Sequence, residues 1–158
     1  MKRIQKIWEH PLYQQCLSRI RALEENRIFC RHTPEHFLDV ARLAWIQVLE
    51  QGLDVSRPVV YGAALLHDIG RFRQYEEQIP HEQASAELAE QILPACGFSI
   101  RETRQILDMI GSHRRKEHSD PVNAAFYRAD KLSRCCFLCR AREECDWSPE
   151  KKNLTIKY

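Results

Sequence analysis

Glycine is scarce in this chain, with five residues in 158, and no Asn-Gly or Asp-Gly pair occurs. The tight turns that join a meander of strands are therefore missing, which favours helices. No apolar run approaches the ~18 residues needed to cross a bilayer. Charge of one sign is also in short supply. A net charge of +2 gives no electrostatic case for DNA or an anionic membrane, and neither partner is expected. The basic start Met1-Lys2-Arg3-Ile4 runs into Gln5, Lys6, Glu9 and His10 instead of a secretory apolar segment, so the expected location is the cytoplasm. Hydrophobic residues at 44% and charged residues at 29% are ordinary for a globular protein. Cysteine is abundant: seven are present, an odd number, and four crowd together at Cys135, Cys136, Cys139 and Cys145. In a reducing compartment this clustering points to metal binding, redox chemistry or packing, not a disulfide framework.

Apolar residues at spacings of three and four predict a first helix over about 4–28, with Pro11 as a breaking point. Thr33-Pro34 supplies an N-cap and first helical residue for a second helix that ends at Gly52. Ser56 and Pro58 open a third that runs to Gly70, and the polar stretch Arg71 to Pro80 is expected to be a loop. A helix follows from His81 to about Cys96. Ser99-Ile100-Arg101-Glu102 is a capping box for the next, which ends near Gly111. Arg114 to Asp120 is a basic loop. Asp120-Pro121 starts a helix through Leu132 that is expected to extend into the cysteine cluster. Ser148 to Tyr158 fits either a short helix or an extended segment. These patterns predict an all-α chain of five to seven helices forming one domain over 1–158.

The stretch Tyr61-Gly62-Ala63-Ala64-Leu65-Leu66-His67-Asp68-Ile69-Gly70-Arg71 ends an apolar run in an imidazole beside a carboxylate. Burying two ionisable groups unpaired is costly, whereas a metal ion takes neutral His nitrogen and anionic Asp oxygen together. A solvated pair at a helix end is the alternative. Other ionisable residues recur where helical patterns begin or end: His36 in a first turn, His81 opening a helix, and His113 just past a last turn. Asp130 lies mid-helix. His10 and His32 read as surface residues, and His118, in the basic loop, as a solvated or phosphate-contacting residue that is also an alternative ligand to His113.

With His36 first, then the His67-Asp68 doublet behind Leu65-Leu66, then Asp130 before Lys131-Leu132, the chain resembles the HD-domain superfamily of metal-dependent phosphohydrolases. The resemblance spans about 31–134 and leaves 135–158 as a cysteine-rich extension. It implies a helical bundle and a site in which His36, His67, Asp68 and Asp130 ligate one metal. In members with two metals, extra histidines fall between the doublet and the last Asp, and the doublet Asp bridges the ions; His81 and His113 stand at those places. The segments around His81, His113 and Asp130 are similar to small bacterial members that split dinucleoside tetraphosphates. The implied activity is hydrolysis of a nucleotide or dinucleoside polyphosphate, with His67 and Asp68 at the catalytic centre. A single-metal nucleotidase or phosphodiesterase, or a regulatory HD protein, are the alternatives. His-rich ligation suits Fe, Mn, Co or Ni better than Mg. Arg71, Arg114, Arg115 and Lys131 directly follow the proposed ligands and are candidates for binding substrate phosphate. Cys30, Cys136, Cys139 and Cys145 could form a structural zinc site; packing on one helix face is the other reading.

Overall fold

The computed structural model describes residues 1–113 and 119–157. Among them are eight α-helices, one 3-10 turn and no strand. The break expected at Pro11 and one departure from the expected pattern account for the extra helices. The first helical stretch is split at His10 into α1 (Lys2–Glu9) and α2 (Pro11–Leu23). Pro11 cannot donate a backbone N–H and becomes the first residue of α2, and His10 accepts from Leu12 N as its cap.

The departure is α5 (Arg71–Glu77), where a loop is expected. Its sequence Arg-Phe-Arg-Gln-Tyr-Glu-Glu has one buried apolar residue, Phe72, too few to show a periodic stripe. Polar contacts hold it instead: Arg73 bridges Glu77 and Glu87, Tyr75 donates to Glu24, and Arg19 stacks on Phe72. Left-handed Gln78 (φ 60) ends the helix.

The remaining helices follow their sequence signals closely. In α3 (Pro34–Glu50), the Thr33 hydroxyl accepts from His36 N, and Gly52 takes a left-handed φ of 62 just past the end. Ser99 and Glu102 complete the reciprocal capping box of α7 (Ile100–Ser112). Asp120 caps α8 (Pro121–Leu132) by accepting from Asn123 N. α6 spans His81–Ile92, a turn shorter than expected.

α4 (Arg57–Leu66) is the central element, with seven of its ten residues buried. It packs against α3, α7, α1 and α6, and α3 also packs against α8. Phe37, Leu66, Ile106, Met109, Ile110 and Phe126 fill the core among these helices. None of the helices is long and apolar enough to cross a membrane.

α4 stops at Leu66, and His67 to Gly70 form a turn before α5. Gly70 is not a left-handed terminator: its φ is −82. Its role is close approach. A Cβ there would lie 2.4 Å from the backbone nitrogen of Ser85 and 2.8 Å from Ala84 C. The Ser85 hydroxyl accepts from Gly70 N at 2.9 Å. The turn carrying His67 and Asp68 is thereby pressed against α6, which begins at His81.

α8 ends at Leu132 and does not enter the cysteine cluster. Beyond it the chain makes a 3-10 turn over Cys136–Leu138 and irregular turns. The buried Asn153 side chain ties this segment back by donating to the carbonyls of Lys131 and Arg134. It thus adds a side-chain donor to two carbonyls, at and just past the helix C-terminus, that also accept backbone N–H groups.

Gly70→Ala should cost about 1–3 kcal/mol, the usual range for overpacking, because the obstructing atoms are backbone. Urea unfolding would register this as a lower midpoint at unchanged slope; a wild-type midpoint would contradict the close-approach reading.

Candidate metal centre

Six sequence-predicted ligands converge in one buried place. His36 sits in the first turn of α3, His67 and Asp68 in the turn after α4, and His81 opens α6. His113 follows α7, and Asp130 lies three residues from the end of α8, nearer its terminus than expected. His67, Asp68, His81 and His113 are each at most 2% exposed, and His36 and Asp130 6%.

Their donor atoms fall, among the described residues, into two sets that share Asp68: His36, His67, Asp68 and Asp130, and Asp68, His81 and His113. The two carboxylate oxygens of Asp68 face different sets. Oδ2 lies 3.1 Å from His67 Nε2 and 3.9 Å from His36 Nε2. Oδ1 lies 3.2 Å from His81 Nε2 and 3.8 Å from His113 Nε2. Asp130 Oδ1 closes the first set at 3.4 Å from His36 Nε2 and 3.8 Å from His67 Nε2.

Each imidazole is oriented through its other nitrogen. Nδ1 of His67 donates to Ala64 O, and that of His113 to Ile110 O. His81 Nδ1 donates to Gln74 Oε1. His36 Nδ1 donates to the Ser133 hydroxyl, which itself donates to Asp130 O. This arrangement fixes the tautomer and turns every Nε2 inward, the pattern of metal-ligating histidines. Two observations show that the residues fit a cation. His67 Nε2 is fully buried without a hydrogen-bond partner. His81 and His113 bring their Nε2 atoms to 3.0 Å of each other, beside a carboxylate oxygen.

The electrostatics agree. Burial opposes the charge of Asp68, but Arg71, His67 and His32 hold its carboxyl well below the usual carboxylate range. For Asp130, burial is likewise outweighed by His67 and Lys131. Burial pushes His36 and His113 down to about 4, so both are neutral donors near pH 7. Burial also disfavours a charged His67, yet Asp68 and Asp130 raise it to about 9. Two buried carboxylates thus require positive charge, and the His67 proton supplies it.

Of the phosphate candidates, Arg71 pairs with Asp68 Oδ1 at 3.0 Å and Lys131 with Asp130 Oδ2 at 2.6 Å. Arg114, Arg115 and the alternative ligand His118 lie outside the described residues. Arg134 was not singled out in the sequence, and it donates to His36 Nε2 at 2.9 Å. Cys30, Cys136, Cys139 and Cys145 line a separate cavity that Arg134 and His36 border. Cys136 and Cys139 lie at the 3-10 turn, so the reading of them as one α-helical face does not hold.

The reading of His32 as a surface residue is wrong. It is 6% exposed, with Nδ1 held by Glu24 and Nε2 3.6 Å from Asp68 Oδ2. Glu24 also accepts from the Tyr75 hydroxyl and from His32 N. The signal available was position: His32 immediately precedes the Thr33 cap and stands four residues before His36. His10, also read as a surface residue, is half-buried as the cap of α2.

Because a metal on Nε2 must displace the His67 proton, metal affinity should rise with pH across the window up to about 9. Loading Mn2+ near neutral pH should release about one proton for the ion that takes His67. Calorimetry in buffers of different ionisation enthalpy reads this directly, and a heat independent of buffer would contradict it.

A family model described as HD domain matches residues 33–135. A Clostridium beijerinckii protein, named only as uncharacterized, is 41% identical over 158 residues, the full length of both chains. Ribonuclease Y of Pseudothermotoga lettingae is 30% identical over 123 residues, which is 77% of this chain and 22% of that enzyme. Ribonuclease Y of Acetivibrio thermocellus is 26% identical over 125 residues, again covering 22% of its length. The chain therefore spans about a fifth of these ribonucleases. The crystal structure of a predicted HD superfamily hydrolase from an uncultured Thermotogales bacterium shares the fold, with a TM-score of 0.62 at 22% identity over 94% of this chain and 86% of that one. The matched region runs from the Thr33 cap past Asp130 and holds all six converging ligands, so the chain belongs to the HD domain family.

Proposed function

We propose that this protein is a metal-dependent phosphohydrolase for a nucleotide or dinucleoside polyphosphate, working with two ions that share Asp68. The observation that carries the proposal is the division of the Asp68 carboxylate, one oxygen toward each ligand set. His36, His67, Asp68 and Asp130 would hold one ion, and Asp68, His81 and His113 the other. This nitrogen-rich donor set favours Fe, Mn, Co or Ni over Mg. A divalent ion lowers the pKa of a water from about 15.7 toward ~7 and polarises a phosphoryl oxygen.

The chain's own residues supply the rest. A cavity of about 200 Å³ opens onto Asp68 and Asp130 and is also lined by Arg27, Arg71, Lys131 and Arg134. Asp146 is a third carboxylate on the wall; four cations around three carboxylates still suit a ligand that brings several phosphate oxygens, and guanidinium forks bind these in pairs. Phe29 and Trp147 line the same cavity and offer apolar surface to a base. Pockets for drug-sized ligands measure roughly 300–1,000 Å³, so the second nucleoside of a dinucleoside polyphosphate would extend past the rim. His32 also lines the cavity. Burial lowers its pKa, and Glu24 takes the Nδ1 proton, which leaves Nε2 as a proton acceptor facing Asp68.

A phosphodiester substrate is the second reading, favoured by the similarity to ribonuclease Y. Assays of mononucleotides, dinucleoside polyphosphates and short RNA on metal-loaded protein separate the two: release of inorganic phosphate or mononucleotides from the first two classes supports the proposal, and RNA cleavage alone replaces it.

Asp68→Ala should lose both ions and reduce turnover by more than the roughly 10–100-fold typical of residues outside the ligand sphere. Retention of one ion would reduce the site to a mononuclear one. Lys131→Ala should raise KM about tenfold, as expected when a charge-assisted hydrogen bond worth ~1.5–3 kcal/mol is lost, with metal content unchanged. Metal loss in that variant would make Lys131 a partner of Asp130 only.

A further inference from the structure

The segment after α8 has little to hold it by hydrophobic burial. The apolar core cluster includes no residue beyond Ala129, and Leu138, Leu154 and Ile156 are exposed. Regular structure here is a single 3-10 turn. Segments that cannot bury an apolar core are commonly fastened by a metal or a disulfide. All seven cysteines are free thiols, and five of them line one cavity in this region.

Cys30 comes from the connector before α3, and Cys136, Cys139 and Cys145 come from the C-terminal segment. More than a hundred residues separate the two groups, yet all four line one cavity of about 290 Å³. Burial raises the Cys30 thiol, Arg134 opposes that, and the neighbouring Cys136, Cys139 and Cys145 add to it. Arg31, Arg134, Arg142 and Lys152 border the same cavity and would offset the excess negative charge of four thiolates around a divalent centre.

We infer that Cys30, Cys136, Cys139 and Cys145 form a tetrathiolate metal centre, separate from the histidine–carboxylate site, that fastens the C-terminal segment to the connector before α3. Four thiolates select a thiophilic centre, either a lone zinc ion or an iron–sulfur cluster. Among the described residues no three cysteine sulfurs lie within 4.8 Å of one another. A lone zinc, with Zn–S near ~2.3 Å, would draw the sulfurs inward, whereas a cluster of several irons spans a wider gap. Cys135 lines the cavity but is exposed and is not a ligand. Cys30, Cys145 and Trp147 also border the cavity at Asp68, so the centre fixes one wall of it.

The test is iron, zinc and acid-labile sulfide analysis of the full chain purified without oxygen, with spectra of the same samples. Iron with sulfide and a visible thiolate-to-iron absorption band supports the site in its cluster form. One zinc per chain, with cobalt replacing it to give an intense thiolate-to-cobalt band, supports the zinc form. In either case the signal should vanish in Cys30→Ser and Cys139→Ser, and persist in Cys135→Ser and in Asp68→Ala, which disrupts the other site. Since the serine variants could misfold, the wild-type protein is also titrated with an organomercurial, and metal should leave in step with thiol modification. Wild-type protein with neither thiolate band nor mercurial-releasable metal overturns the inference, as does a band that survives Cys139→Ser.

Discussion

The Asp68 carboxylate is 2% exposed and must stay ionised there, and the surrounding structure is arranged to meet that demand. An unpaired buried charge is costly enough that a protein either neutralises it or surrounds it with compensating groups. Here Arg71 reaches one oxygen, and five imidazoles direct Nε2 at the carboxylate within 3.1–3.9 Å. Those imidazoles come from the connector before α3 and from the ends of α3, α4, α6 and α7. Five chain segments thus meet at this one carboxylate.

Imidazole suits this position because it can be neutral and still be held. Each ring spends Nδ1 on a fixed acceptor, in two cases the carbonyl three residues back in its own chain. Orientation therefore comes from the helix ends themselves. Close approach comes from small residues: Ala63 and Ala64 on α4, Ala84 and Ser85 on α6, and Gly70 pressed on the α6 backbone. A buried pocket of this kind holds its donor atoms close together, and a cation is the simplest group to resolve the resulting charge.

Around this centre the protein is built differently. The Tyr75–Glu24–His32 chain, α5 and the C-terminal segment are held by hydrogen bonds and ion pairs, with few apolar contacts. These are the parts that line the opening of the cavity at Asp68, where cations and half-buried aromatics stand. Polar contacts can change partners when a charged ligand enters, which packed apolar side chains do not do easily.

Those same parts mark the limit of what could be read from the residues in order. Helices with an apolar stripe and a cap signal, such as α3 behind Thr33-Pro34 or α7 behind Ser99–Glu102, were legible because local chemistry decides them. The six candidate ligands, which the fold brings together, were legible because ionisable residues at apolar positions stand out, and because their order resembles a known family. α5 was not, since its stability rests on Glu24 and Glu87, which are distant in sequence. His32 was not, since burial depends on Glu24 and Asp68 meeting it in space. By itself, then, the sequence determined an all-helical chain with a metal-type donor set, because periodicity, caps and residue types are local properties. The resemblance already implied that Asp68 bridges two ligand sets, and Cys30 was already grouped with the C-terminal thiols. Only the tertiary structure decided which Asp68 oxygen faces which set, that His32 joins them, and that the four thiols line one cavity. Each of those facts is a distance between side chains far apart in the chain, which only the packed fold sets.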